Sequence, residues 1–254
     1  MSSSRGPDFI IIGAQKSGTT SLYRYLIEHP RIAPASAKQL DFFAHESFHR
    51  GTDLYLSQFP ERDEHTLSGE ASPYYMFHPH APGRIRAFDP GVKLIAILRN
   101  PVDRAYSHYQ HQVRNGREPL SFEEAIAGEE SRTAAETARM LEDETYYSKS
   151  HRRHSYLSRS LYAGQLRSWL ALFPREQLLI LNSERMFEDP EPLLDRATAF
   201  LGLPPLRLRT YNEYMPGSYW KNMLPETRER LVRYFRPHNR RLYELLGETH
   251  PWDV

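Results

Sequence analysis

Short apolar runs alternate along the chain with segments whose apolar positions recur every three to four residues. Phe9-Ile10-Ile11-Ile12 is a β-branched run closed by Gly13, which predicts a strand buried on both faces. Gly18-Thr19-Thr20 then opens a segment in which Leu22, Tyr25 and Leu26 share a helical face, stopped by His29-Pro30. A second such unit begins at Lys93-Leu94-Ile95-Ala96-Ile97-Leu98-Arg99, with Asn100 as helix N-cap and Pro101 at the first helical position. A third strand is predicted at Gln177–Leu181, after an amphipathic helix carrying Tyr162, Leu166, Trp169, Leu170 and Phe173. Further helices are predicted from the capping box Ser121-Phe122-Glu123-Glu124, from Asp189-Pro190 to Gly202, and from about Pro225 to Leu246, the last burying Leu231, Phe235, Leu242 and Leu245. The polar stretch Ser131–Ser155 reads as an insertion or a mobile loop. Strands alternating with helices predict an α/β fold: a single domain over residues 9–254 with a central parallel sheet flanked by helices, behind a disordered terminus 1–8.

Composition narrows the chemistry. The chain has 254 residues, 39% of them hydrophobic, enough to bury a substantial core. It has no cysteine, which excludes disulfide scaffolds, thiolate metal sites and cysteine nucleophiles. With 33 Lys plus Arg against 32 Asp plus Glu, it lacks the basic excess of a nucleic-acid coat. Met-Ser-Ser-Ser-Arg-Gly-Pro at the amino end carries no apolar leader segment, and no apolar run is long enough to cross a bilayer; the expectation is a soluble cytoplasmic protein.

Gly13-Ala14-Gln15-Lys16-Ser17-Gly18-Thr19-Thr20 stands where a buried strand hands over to a helix, and amides at a helix start, helped by a lysine and hydroxyls, bind anions. The spacing is not that of a nucleoside triphosphatase, whose loop needs a lysine directly after the second glycine; here Lys16 precedes Gly18. The strand Leu94–Leu98 ends in Arg99 where a magnesium-dependent enzyme wants a carboxylate, so a second anion site is expected there in place of a metal. If Pro101 starts a helix, Asp103, Ser107 and His111 line one face, Ser107 joining Arg99 on a phosphate and His111 one turn further on. Two cationic phosphate sites point to a ligand with two separate phosphate groups.

Ile-Ile-Gly-Ala-Gln-Lys-Ser-Gly-Thr-Thr-Ser-Leu together with Leu-Arg-Asn-Pro-Val-Asp-Arg-Ala-Tyr-Ser-His-Tyr resembles the 5′-phosphosulfate loop and the 3′-phosphate motif of sulfotransferases. The likeness runs from about Phe9 to Gly247 and is greatest to the heparan sulfate N-sulfotransferase branch and its bacterial relatives. It implies 3′-phosphoadenosine 5′-phosphosulfate as donor, 3′-phosphoadenosine 5′-phosphate (PAP) as product, no metal, and a glycan or small-metabolite acceptor. It assigns Gln15, Lys16, Ser17, Gly18, Thr19 and Thr20 to the phosphosulfate, with Lys16 on the bridging oxygen, and Arg99 and Ser107 to the 3′-phosphate. It places His111 beside the acceptor, Trp220 on the adenine, and Lys221 near the donor.

One departure bears on mechanism. The family pattern Lys-Glu-x-x-Phe-Phe, whose glutamate is the general base, reads Lys38-Gln39-Leu40-Asp41-Phe42-Phe43 here. Gln39 can orient an acceptor but takes no proton; in an extended segment Asp41 points to the same face and substitutes for it, with His111 and Glu70 as the other candidates. Two other readings stay open at this point: a kinase-type phosphotransferase using ATP and magnesium, and a catalytically impaired nucleotide binder.

Overall fold

The computed structural model describes residues 5–212, 214 and 223–253. Its elements run β1 (Phe9–Gly13), α1 (Thr19–Leu26), β2 (Ile32–Pro34), α2 (Asp53–Leu56), β3 (Leu67–Ala71), α3 (Ala81–Phe88), β4 (Lys93–Leu98), α4 (Pro101–Arg114), α5 (Phe122–Ala127) and α6 (Glu129–Glu142). The chain continues through α7 (Lys149–His154), α8 (Tyr162–Leu170), β5 (Leu178–Asn182), α9 (Ser183–Glu188), α10 (Pro190–Leu201) and α11 (Pro225–Leu246). The class is α/β, on one five-stranded sheet of order β2-β3-β1-β4-β5 in which every pairing is parallel. Contacts gather in two compact units, Met1–Leu98 with Trp169–Pro216, and Arg99–Ser168 with Gly217–Val254.

The first unit holds the sheet. β1 lies between β3 and β4, with Ile10 in register with both Glu70 and Leu94, and this central place explains why its residues are apolar on both faces. Phe9, Ile11, Leu22, Leu26, Ile95 and Ile97 form its core with Leu194, Ala197 and Leu201 of α10. Ahead of β1, the Asp8 carboxylate accepts from Arg62 at 2.9 Å and from the Ser68 amide at 2.8 Å, so the described part of the amino-terminal stretch is tied to the sheet. β2 and β3 escape the hydrophobic pattern. β3 reads Leu-Ser-Gly-Glu-Ala, and its glycine is required because a Cβ at Gly69 would stand 2.5 Å from the Phe9 ring.

The second unit is helical, with Val102, Tyr106, Phe122, Ala125, Ile126, Tyr156, Leu231 and Phe235 as its core. α11 buries Leu231, Phe235 and Leu242, while Leu245 is half-buried. The stretch expected to be a mobile loop is instead α6 and α7 with their connection. Its anchors are polar: Glu129 accepts from the Leu157 and Ser158 amides at 2.6 and 2.9 Å, and Glu118 pairs with Arg132 at 2.8 Å while accepting the Tyr156 hydroxyl at 2.6 Å. Carboxylates hold these helices where apolar residues do so elsewhere, which is why their pattern misleads. Phe173 falls beyond the end of α8 but is buried.

Candidate active site

At the carboxyl end of β1 the chain keeps one more sheet bond, Ala14 N–H to Ile97 carbonyl at 2.8 Å, then turns through Ser17 N–H to Ala14 carbonyl at 3.2 Å. Gly18, at φ 90, is the helix N-cap residue. Only glycine fits there, since a Cβ would lie 2.5 Å from the Met186 methyl and the backbone is left-handed. Among the described residues no side chain caps α1, and its first turn holds no acid, so its leading amides have neither an intrahelical carbonyl nor a side-chain oxygen at the cap. The Ser17 hydroxyl in the middle of the loop is fully buried and has no hydrogen-bond partner among the described residues. A buried orphan hydroxyl beside an uncapped helix start is costly unless an acceptor is supplied, and an oxyanion supplies it. The loop therefore fits the phosphosulfate that the resemblance assigns to Gln15–Thr20.

The corner after β4, in the second unit, is built differently. The Asn100 side chain accepts from the Val102 and Asp103 amides at 3.0 and 3.4 Å, so α4 arrives already capped, with Pro101 at its first position as predicted. Asp103 is paired with Arg228 at 2.7 Å. Ser107 is buried on the same helix, His111 half-buried one turn on, and the Tyr162 hydroxyl fixes the Arg99 carbonyl at 2.9 Å. Sequence reasoning missed Arg104. It is wholly buried, donates to Ser160 Oγ at 2.5 Å and to the Tyr156 carbonyl, and burial pushes its guanidinium down to about 10 against the pull of Tyr162 and Glu129. With the leading amides of α4 taken by Asn100, an anion at this corner would have to be met by side chains.

The proton-acceptor candidates of the first unit lie around Gln39. The segment is not extended: Asp41 sits at φ 53 as the cap residue that precedes a 3-10 turn, Phe42–Ala44. The turn nonetheless brings the two side chains together, Gln39 Nε2 donating to Asp41 Oδ2 at 2.9 Å. Glu70 is fully buried and accepts from the hydroxyls of Tyr55, Ser72 and Tyr75 at 2.9, 2.5 and 2.9 Å. Burial pushes its carboxyl up to about 7, with those three hydroxyls pulling the other way. Burial likewise holds the Lys38 ammonium below its ordinary range, opposed by Asp41 and Glu70. Among the described residues, Lys16 at φ 74 and Asp41 at φ 53 are the non-glycine positions with positive φ. Such strain persists only where surroundings enforce it, and it concentrates at functional sites.

Phe42, Phe43, Tyr74 and Tyr75 are core. Arg159 is buried and donates to the His151 and Arg152 carbonyls. Trp220 and Lys221 lie outside the described residues.

A family profile described as a sulfotransferase domain matches residues 6–237. The chain belongs to the sulfotransferase family. It is 32% identical over 95% of its length to bifunctional heparan sulfate N-deacetylase/N-sulfotransferase 3 of Homo sapiens, covering 30% of that protein. It is 30% identical over 97% of its length to heparan sulfate glucosamine 3-O-sulfotransferase 3A1 of Mus musculus, covering 64% of that one. The chain thus spans less than a third of the first of these relatives and under two thirds of the second. A crystal structure of a sulfotransferase from Alicyclobacillus acidocaldarius superposes with a TM-score of 0.78 at 32% identity, covering 98% of this chain and all of the other.

Proposed function

We propose that this sulfotransferase-family chain moves a sulfuryl group from 3′-phosphoadenosine 5′-phosphosulfate to an amine or hydroxyl of a carbohydrate or small metabolite, without a metal and in the cytoplasm. The observation that carries the reading is the uncapped start of α1 beside the orphaned Ser17 hydroxyl and the strained Lys16. The donor, when bound, supplies a sulfuryl group whose bond to the bridging oxygen breaks during in-line attack. Lys16 and the first amides of α1 hold the charge that builds on that oxygen, and Ser17 donates to a neighbouring one. Arg99 and Ser107 hold the 3′-phosphate, and Trp220 packs on the adenine as the resemblance implies. Gln39 orients the acceptor, and Asp41, beside it, takes the acceptor's proton. His111 is the alternative proton acceptor.

The names of the relatives favour an amino or hydroxyl group of a sugar as acceptor. The test is transfer of sulfur label from the donor, with a chelator present, to a panel of de-N-sulfated heparan sulfate, simple amino sugars, phenols and hydroxylated lipids. Label in at least one arm is expected. Label in none, or label only when magnesium is restored, contradicts the reading.

A further inference from the structure

Asp41 is held in place by hydrogen bonds that lead back to one buried carboxylate. Glu70 stands on β3 in register with Ile10 of β1, so its position is set by the sheet itself. Its Oε2 accepts from Ser72 Oγ at 2.5 Å, and that same Oγ accepts the Asp41 N–H at 2.9 Å. Its Oε1 accepts from the Tyr75 hydroxyl at 2.9 Å, and the Tyr75 oxygen accepts the Phe43 N–H at 3.3 Å. The Tyr55 hydroxyl completes Oε1 at 2.9 Å. The direction of these bonds follows from chemistry. An ionised carboxylate only accepts, so Ser72 and Tyr75 each give their single hydroxyl proton inward and turn a lone pair outward to a backbone N–H. Two amides of the strained turn hang from Glu70 in this way. A left-handed aspartate is strained and relaxes unless something holds it.

We propose that Glu70 is a positioning residue for sulfuryl transfer: through Ser72 and Tyr75 it locks Asp41 in the left-handed conformation that sets its carboxylate beside Gln39. The inference rests on the reading of Asp41 as proton acceptor. The ionisable groups facing Glu70 are Tyr55 of α2, Tyr75 after β3, Asp41 and Lys38 of the turn, and Tyr23 of α1. With its carboxyl raised to about 7 by burial, the acceptor-only state that orients the hydroxyls is the one present above neutral pH.

The test compares Ser72→Ala, Glu70→Gln, Asp41→Asn and the double variant Ser72→Ala/Asp41→Asn, with PAP release read in the presence of de-N-sulfated heparan sulfate. Ser72→Ala and Glu70→Gln should each lower kcat about tenfold while leaving the donor KM and the PAP-induced rise in melting temperature unchanged. Amide exchange should quicken at Asp41 in both, and at Phe43 in Glu70→Gln. The double variant should be no slower than Asp41→Asn alone, a non-additivity that a merely structural role does not produce. Multiplying losses in the double variant, or normal kcat in Ser72→Ala and Glu70→Gln beside an impaired Asp41→Asn, would overturn the positioning role and leave Asp41 as proton acceptor. Normal kcat in Asp41→Asn overturns that underlying reading, and the inference with it. If Glu70→Gln does not fold, Ser72→Ala carries the comparison.

Discussion

The corners after β1 and after β4 both lead a buried strand into a helix, yet they treat the helix start in opposite ways. α4 satisfies its own leading amides with Asn100 and buries Arg104 behind them. Among the described residues, α1 has no side-chain cap and the buried Ser17 hydroxyl has no partner, and Gly18 stands where no other residue fits. One corner is finished without a ligand; the other would be completed by the proposed donor. A helix start with its cap in place can present side chains to an anion, whereas one without a cap presents the backbone, whose geometry cannot be changed by substitution elsewhere.

The largest expected effect separates charge from geometry. Lys16→Ala should slow label transfer by a hundredfold or more with the melting temperature of the free protein nearly unchanged, because the ammonium acts on charge that develops only during transfer. Near-normal turnover would show that the open amides suffice.

Next is the pH dependence of the two units. Glu70 in the first holds its proton more tightly folded than unfolded, so its contribution is full below pH 4.5 and is lost as pH rises through about 7, a swing of about 3 kcal/mol. His151 in the second is pushed down to about 3 by burial and by the Arg159 charge, so its contribution is present above 6.5 and is lost as pH falls toward 3. In urea unfolding from pH 4.5 to 8, the stability of the parent relative to Glu70→Gln should fall as pH rises through about 7, while the variant keeps the opposite slope that His151 gives below 6.5. A parent-to-variant difference that does not change with pH assigns the titration to another group.

Gly18→Ala comes third. It forces a side chain into a left-handed residue and onto Met186, and is expected to cost about 2 kcal/mol in thermal unfolding and to weaken PAP binding as well. The smallest effects test the contrast most finely, since they should have opposite signs in the free protein. Asn100→Ala removes a cap and should destabilise by about 1 kcal/mol. Ser17→Ala removes a buried unsatisfied hydroxyl and should leave stability equal or higher while weakening PAP severalfold. Loss of stability in Ser17→Ala would mean that its hydroxyl is already satisfied without a ligand.

Much of this was legible in the sequence where local rules act. Pro101 and Asn100 mark the start of α4, Asp189 and Gly202 the ends of α10, and the order of lysine and glycine in the β1 loop separates it from a triphosphatase loop. What was not legible depends on contacts far apart in the chain. β3 shows no apolar run because Gly69 must clear Phe9 and Glu70 must face hydroxyls from positions 55, 72 and 75. α6 and α7 looked like a loop because Glu118 and Glu129 hold them. The pairing of Gln39 with Asp41 was anticipated on the wrong backbone: a left-handed turn, not an extended segment, brings the two together.

The central claim is that the β1 corner is completed by the phosphate end of an adenosine bisphosphate. Its most direct test is the melting temperature of the intact chain with PAP, and separately with ATP plus magnesium. At a hundredfold excess over the dissociation constant, PAP without any metal should add about 2.7 kcal/mol, a rise of roughly 5–10 °C, and Ser17→Ala should reduce that rise. Stabilisation by ATP plus magnesium with none by PAP would contradict the account.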